Sequence, residues 1–295
     1  MKTSAVHSAI SALLLILISA EAQAVKLSEI LEDSLFGDVY AIAVLGDEPL
    51  VLDQDIVLGG RSLTLTAARI EIPQDISISS FDEDALVASS LETTKPEKAA
   101  RGAPHNGRGH NSHGGPGAKG RQGATGAEGL SSGNVKIITS SKPTGGGKLT
   151  VNLFGQNGGP GQAGGDGGDG YPGGGAHDGS STAIRCRRQP GDGGNGGNGG
   201  PGGDGGLGGR GGDGGIFIYV ALFGDALVKG NMEGGVGGQG GAAGVGGAGA
   251  APGGKGSRTG HCQRNASNGS PGQNGSNGNA GLEGSKGKKG EFIVL

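Results

Sequence analysis

The residues best suited to binding chemistry lie around the two cysteines of the chain. Cys186 and Cys262 each stand in a short polar stretch that carries several basic side chains. Two cysteines in an exported chain predict a disulfide, which would join both stretches into one positive patch. Such a patch suits sulfated or phosphorylated surface glycans, although polar stretches are also basic simply because they are solvated. The candidate ligand-binding residues are Arg185, Arg187, Arg188, Lys255, Arg258 and Arg264.

A weaker signal for a metal lies further along the glycine-rich part. The stretch from Gly164 to Pro172 matches a calcium-binding nonapeptide, with Asp166 and Asp169 as the acidic residues. Sites of that kind need tandem copies because successive turns share ligands, and the next candidate, starting at Gly208, lacks the large apolar residue. We therefore expect no cofactor, with calcium as the alternative.

Catalysis and nucleic-acid binding have little support in the residue pattern. We find no arrangement of nucleophile, base and acid, no paired carboxylates in an apolar frame, and no phosphate-binding loop. Six phenylalanines, three tyrosines and no tryptophan leave few rings on which bases could stack. The sequence thus favours a non-enzymatic protein that does not bind nucleic acid.

The first 24 residues read as a secretory signal peptide. A basic start is followed by an apolar run from Ala9 to Ser19, and Ala22-Gln23-Ala24 has the small-x-small pattern of a cleavage site. About 11 apolar residues are too few to span a bilayer. We expect cleavage after Ala24 and a secreted, extracellular chain without a membrane span, or a periplasmic or cell-surface chain in a bacterium.

Residues 25–81 predict an acidic, β-rich domain. Val25 to Leu35 has the pattern of a short amphipathic helix, and Val39 to Leu45 that of a strand that ends in the turn Gly46 to Pro49. Apolar pairs two residues apart then recur four times, which predicts short strands with one buried face. Hairpins and β-solenoid rungs both fit this spacing. Residues 82–113 read as a linker.

Glycine dominates the rest of the chain, residues 114–295. The chain holds 72 glycines, about 24% against a usual level of about 7%. Glycine recurs at every third position in several runs, and from Gly193 to Gly215 the sequence is unbroken Gly-Gly-x. A period of three is that of the polyproline II helix. The pattern predicts an intramolecular bundle of such helices, with a collagen-like trimer and disorder as the alternatives.

An internal repeat favours order over disorder. Val151-Asn152-Leu153-Phe154-Gly155 resembles Val220-Ala221-Leu222-Phe223-Gly224, and each copy precedes a glycine run, a tip with one cysteine, and a second glycine run. We expect β-strands at the feet of these arms, near residues 135–138, 148–154, 216–223 and 291–295. The two cysteines then occupy equivalent tips, which supports a Cys186–Cys262 bridge. The predicted fold class is mostly β plus polyproline II.

These runs resemble two groups of glycine-rich polyproline II bundle proteins. One is the snow flea antifreeze proteins and the other is the receptor-binding adhesins at the tail-fibre tips of some phages. The resemblance is compositional and covers about Gly114 to Gly290. The first likeness implies a flat ice-binding face of small residues, to which the alanines between Ala242 and Ala251 would contribute. The second implies tip loops that bind a surface receptor.

The two halves of the chain carry opposite net charge. Val25 to Arg101 holds 15 acidic and 6 basic residues, whereas Gly102 to Leu295 holds 11 acidic and 17 basic ones. The basic half is the one suited to an anionic partner. We therefore expect a secreted structural or adhesive protein whose rigid arms present basic tips. An ice-binding protein and a collagen-like matrix or surface protein are the alternatives, and the choice between monomer and trimer stays open.

Overall fold

The regular elements of the protein are almost all β-strands. The structure, a computed structural model, describes residues 13–19, 24–32, 39–88, 94–104, 111–221 and 228–295. Within these residues there is one short helix, α1 (Leu27–Glu32), and a single 3₁₀ turn at Glu83–Ala85. The strands are β1 (Leu13–Ser19), β2 (Val25–Lys26), β3 (Val39–Val51), β4 (Ile56–Val57), β5 (Ser62–Glu71), β6 (Ile76–Ser79), β7 (Val135–Thr139), β8 (Leu149–Asn152), β9 (Ser180–Ser181), β10 (Cys186–Arg188), β11 (Phe217–Ala221), β12 (Val228–Asn231) and β13 (Phe292–Val294).

These strands form two parallel sheets and one small antiparallel pair. The larger sheet has the order β1-β3-β5-β7-β11-β13, with β2 also paired to β3, and the second has the order β12-β8-β6-β4. From β3 onward the chain passes alternately through the two sheets, apart from the antiparallel pair β9 and β10. Because all pairings within both sheets are parallel, the alternative of hairpins for residues 38–81 is wrong.

Apolar side chains fill the space between the two sheets. The alternation that the sequence shows puts Leu63 and Leu65 on the buried face of β5, and Ile76 and Ile78 on that of β6. Helix α1 adds Leu27 and Ile30 to the same cluster. The remaining members are Ile42, Val44, Leu50, Leu52, Ile56, Leu58, Ala67, Ile70, Ile72, Val135, Ile137, Leu149, Val151, Leu153, Phe217, Tyr219, Val228 and Met232.

The predicted fold class is wrong. The regular elements are strands of a parallel-sheet domain with almost no helix. We had expected a polyproline II bundle with strands at its feet, and the described residues do not form one. The three-residue spacing of glycine shows only which positions lack a side chain. The fold follows instead from apolar strands far apart in sequence, which bury their faces together because apolar burial is the main favourable contribution to folding.

The repeat seen in the sequence is also not the structural one. Val151 lies in β8 of the second sheet, whereas Val220 lies in β11 of the larger sheet. Residues that meet in successive passes of the chain are instead about 72, 82 and 75 positions apart. In the larger sheet this places Ile137 beside Leu65 and Tyr219 beside Ile137.

Two further differences concern the N-terminal part. β3 does not end at the expected turn but continues to Val51, because a register shift between Val44 and Pro49 absorbs the extra residues. Gly46 has a φ of 118° there, a conformation that glycine adopts without strain. The predicted leader is described only at Leu13–Ser19, which pairs with β3, and at Ala24, and its cleavage stays a prediction.

Candidate functional site

Six extended segments, five of them glycine-rich, carry the chain away from the sheets and back. We call 94–104, 155–179 and 232–257 the outgoing segments, and 114–132, 193–215 and 269–290 the returning segments. Within each group, the N–H of every third residue donates to the next segment, as from Gly167 to Val245 and from Gly202 to Ser276, both parallel. Between the groups the bonds run antiparallel, as from Gly203 to Gly165. The segments therefore form two hydrogen-bonded layers that lead to a common outer end.

Glycine permits these layers because the contact is backbone to backbone. A Cβ placed on Gly203 would lie 2.1 Å from the carbonyl oxygen of Arg121, and one on Gly200 would lie 2.0 Å from that of Ala118. No side chain fits at such positions without moving a neighbouring backbone. The Gly-Gly-x rule thus places two of three residues inside the layers and the third outside.

Asp and Asn side chains on the outside tie neighbouring segments together. Asp166 Oδ1 accepts the N–H of Val245 at 2.8 Å, and Asp169 Oδ1 accepts that of Ala248 at 2.9 Å. Asn195 and Asn198 do the same for the returning segments, towards Ser270 and Gln273. These N–H groups point away from the other layer, so the side chains supply the acceptors that no backbone provides.

The two acidic residues of the calcium-like motif have further partners. Lys95 Nζ lies 2.7 Å from Asp166 and Lys98 Nζ lies 2.8 Å from Asp169. Hydrogen bonds from these lysines, and then from the backbone, hold the pKa of both carboxyl groups below the usual value. Within the described residues, no group of three His, Cys, Asp or Glu side chains is placed to hold a metal ion.

The disulfide is present and joins the outer ends of two arms. Cys186 and Cys262 are bonded, with their Cα atoms 4.9 Å apart. Cys186 begins β10, which pairs with β9, while Cys262 is fully buried behind a tight turn at Thr259. Gly260 in that turn has a φ of 52°, a left-handed backbone conformation that favours glycine at this position. The bridge fixes two basic stretches beside each other.

The six predicted binding residues differ in what they contact. All six side chains are exposed. Arg264 is paired with Asp192 at 2.5 Å, and Arg188 lies 3.5 Å from the carbonyl oxygen of Asp178. Among the described residues, no carboxylate lies within ion-pair distance of the other four. We call these four the tip cations: Arg185, Arg187, Lys255 and Arg258.

A shallow cleft lies beside two of the tip cations. It measures about 330 Å³ and is lined by Lys255, Ser257, Arg258 and Asn265, with Gly256 and Ala266. Serine hydroxyl, asparagine amide and two cations together offer hydrogen-bond donors suited to an oxyanion. Sequence reasoning passed over Ser257 and Asn265 as binding residues, although Asn265 belongs to an Asn-x-Ser motif beside the cysteine.

A second cavity is lined mainly by residues of two outgoing segments. It measures about 420 Å³ and is lined by Arg101, Pro104, Ser112, Tyr171 and Pro172, with Gly173 and Gly174. Arg101 stands 5.5 Å from the centre of the Tyr171 ring and donates to the carbonyl oxygen of Gly170. No pattern in the sequence pointed to this pair, because Arg101 and Tyr171 are distant in the chain.

Comparisons with known proteins place the chain in no family. No family model matches it, and no curated protein does. A solved structure is similar over 55% of this chain and 92% of its own length, at 27% identity: the nine polyproline type II helical bundle springtail antifreeze protein from Granisotoma rainieri. The TM-score is 0.10, which is too low for any conclusion on fold or function. Within the part of the chain that is described, no helix has the length and apolarity needed to cross a bilayer.

Proposed function

We propose that this is an exported, non-enzymatic adhesive protein whose glycine-rich arms hold a basic tip towards anionic surface glycans. The observation that carries the proposal is the set of four tip cations, exposed and without a carboxylate partner in the described residues, around a disulfide. Sulfate or carboxylate groups of a glycan would supply the missing counter-charges. The proposal also rests on the predicted leader, which would deliver the chain to a compartment where disulfides persist.

The geometry supports a rigid presentation of this tip. Each arm is held at every third residue by backbone hydrogen bonds, so bending one arm requires breaking bonds to its neighbours. Arg185 and Arg187 flank Cys186 in the chain, Lys255 and Arg258 precede Cys262, and the disulfide joins the two stretches. A flexible polyanion binds more tightly to charges whose positions are already fixed, because less conformational entropy is lost.

The test is binding to heparin before and after removal of tip charges. We expect Lys255→Ser with Arg258→Ser to weaken binding about 10-fold or more at physiological salt, because each contact to an anionic group contributes about 1 kcal/mol. The matched control is Lys119→Ser with Lys142→Ser, which removes the same charge from exposed positions away from the tip. Equal loss in both variants would show a general charge effect and would contradict the tip proposal.

Ice binding is the second candidate, and one surface favours it. Along the outgoing segment 232–257 the outward residues include Val236, Val245 and Ala248, and the two valines are 54% and 56% exposed. Small apolar side chains at a regular spacing on a stiff backbone suit a flat solid surface. Thermal hysteresis at millimolar protein that disappears in Val245→Lys would support this candidate. Absent hysteresis in the unaltered chain would remove it.

A further inference from the structure

Asparagine followed by glycine leaves a side-chain amide open to attack by the chain itself. The glycine nitrogen can attack the asparagine Cγ, because glycine has no Cβ that would hinder the approach. A new C–N bond closes a succinimide ring while the bond from Cγ to Nδ2 breaks, and ammonia leaves with the proton of the glycine nitrogen. Water then opens the ring to aspartate or isoaspartate, so a neutral side chain becomes a carboxylate. The described residues hold six such asparagines: Asn157, Asn195, Asn198, Asn268, Asn274 and Asn277.

The fold engages both groups that this reaction needs. At Asn198, Oδ1 accepts the N–H of Gln273 at 2.9 Å, and the N–H of Gly199 donates to the carbonyl oxygen of Gln273 at 2.8 Å. In the other five pairs, too, the asparagine Oδ1 accepts a backbone N–H of a neighbouring segment and the glycine N–H donates to a backbone carbonyl oxygen there. We call these two bonds the Asn-Gly clamp. Both bonds must open before the glycine nitrogen can reach Cγ, so the clamp protects the amide.

One of the six clamps lies at the tip. Asn268 immediately precedes the last returning segment, and its Oδ1 accepts the N–H of Lys255 at 2.8 Å. The N–H of Gly269 donates to the carbonyl oxygen of Gly253 at 3.1 Å, the longest bond among the six glycines. Asn274 has the same kind of clamp but lies inside that segment, between further glycines that bond in the same way. Because the ends of hydrogen-bonded elements open at a lower free energy than their interiors, the clamp of Asn268 opens more often.

Deamidation at Asn268 would place a negative charge at the tip. Lys255, whose backbone binds the Asn268 side chain, is one of the tip cations, and no carboxylate of the described residues pairs with it. Asn274 lies six residues further along an extended segment, roughly 20 Å away. That distance exceeds the Debye length of about 8 Å at physiological salt. The same reaction therefore changes the charge of the tip at Asn268 and leaves it nearly unchanged at Asn274.

We propose that Asn268 is a deamidation site of the folded protein, through which the positive charge of the tip falls with time. The other five clamps keep their amides closed until the segments themselves open. The reaction needs only water besides the chain, and it does not depend on any ligand. Its effect on binding rests on the proposed function, because the tip is the surface to which that proposal assigns glycans.

The first experiment follows Asn268 and Asn274 in the full chain by peptide mapping with mass spectrometry during incubation at neutral pH. In guanidinium both should deamidate at similar rates, because both are followed by Gly-Ser. In the folded, oxidised protein Asn274 should react about 30-fold more slowly than in guanidinium, since two hydrogen bonds must open first. Asn268 should react several-fold faster than Asn274 there. Equal rates at the two positions in the folded protein overturn the proposal, as does a folded protein in which Asn268 stays intact.

A second experiment measures the effect on the tip. Asn268→Asp imitates the product and keeps an acceptor for the N–H of Lys255, and Asn274→Asp is the matched control with the same added charge. We expect Asn268→Asp to weaken heparin binding several-fold at physiological salt and Asn274→Asp to change it little. Equal affinity of the two variants overturns the loss of tip charge as a control on binding. Failure of the unaltered chain to bind heparin would instead overturn the proposed function, whereas the deamidation rates are decided by the first experiment alone.

Discussion

The backbone contact between the arms can be tested with two adjacent glycines. A Cβ at Gly253 would lie 2.0 Å from the carbonyl oxygen of Gly174, whereas a Cβ at Gly254 would meet nothing within 4 Å. Neither residue has a positive φ. The pair therefore isolates the effect of the close approach, because Gly253→Ala and Gly254→Ala make the same chemical change one residue apart.

The expected magnitude follows from the contacts of Gly253. Its N–H donates to Gly194 at 2.8 Å, and Gly194 in turn donates to Gly174 at 2.9 Å. A methyl group must push the Gly174 backbone away by about 1 Å, and such overpacking costs about 1–3 kcal/mol. Weakening the two hydrogen bonds adds about 1 kcal/mol each. We expect Gly253→Ala to lower the free energy of unfolding by about 3–5 kcal/mol.

The assay is thermal unfolding of both variants beside the unaltered chain. A loss of this size corresponds to a fall in Tm of roughly 10 °C in a chain of this length. Gly254→Ala should instead raise stability by about 0.4–1 kcal/mol, because alanine restricts the unfolded chain. If the two variants melt within about 2 °C of each other, the layers are not held at backbone distance and the reasoning fails.

Two further predictions concern the disulfide and Asp166. Cys186→Ser with Cys262→Ser should lower the free energy of unfolding by about 3–5 kcal/mol, because the bridge closes a loop of 76 residues. Reductant should have a comparable effect on the unaltered chain. Denaturant unfolding measures both effects, and an unchanged midpoint would contradict the role of the bridge. The pKa of Asp166 is held below its ordinary value, first by Lys95, so its stabilising effect is complete above pH 4 and is lost as pH falls through the lowered pKa. Asp166→Asn keeps an acceptor for Val245 but should flatten the fall in Tm below pH 4, and a profile like that of the unaltered chain would refute this assignment.

Part of the fold could be read from local pattern. The two-residue alternation around Leu63 and Ile76 predicts strands with one buried face, and both lie in strands with that face buried. What the pattern omits is the partner of each strand, because alternation is the same in a hairpin and in a parallel sheet. Parallel pairing across 72 to 82 residues depends on contacts that no short window contains.

The candidate site was also predictable only in part from the sequence. The types of the six basic residues and the even cysteine count are visible in the sequence, and the disulfide prediction is confirmed. Whether a cation is neutralised depends on a distant carboxylate: Asp192 pairs with Arg264, whereas no carboxylate of the described residues pairs with Lys255. The same holds for Asp166, which resembles a calcium ligand locally but meets Lys95 in the folded chain.

By itself the sequence determined which stretches lack side chains, which are apolar and which are charged. These properties depend on single residues and on their spacing over a few positions. Only the tertiary structure decided that strands separated by whole arms lie side by side, and that carboxylates accept N–H groups of neighbouring segments. It also decided that the tip cations have no carboxylate partner among the described residues. The physical reason is that hydrogen bonding, ion pairing and apolar burial depend on distance in space, and in this chain many partners are more than 70 residues apart.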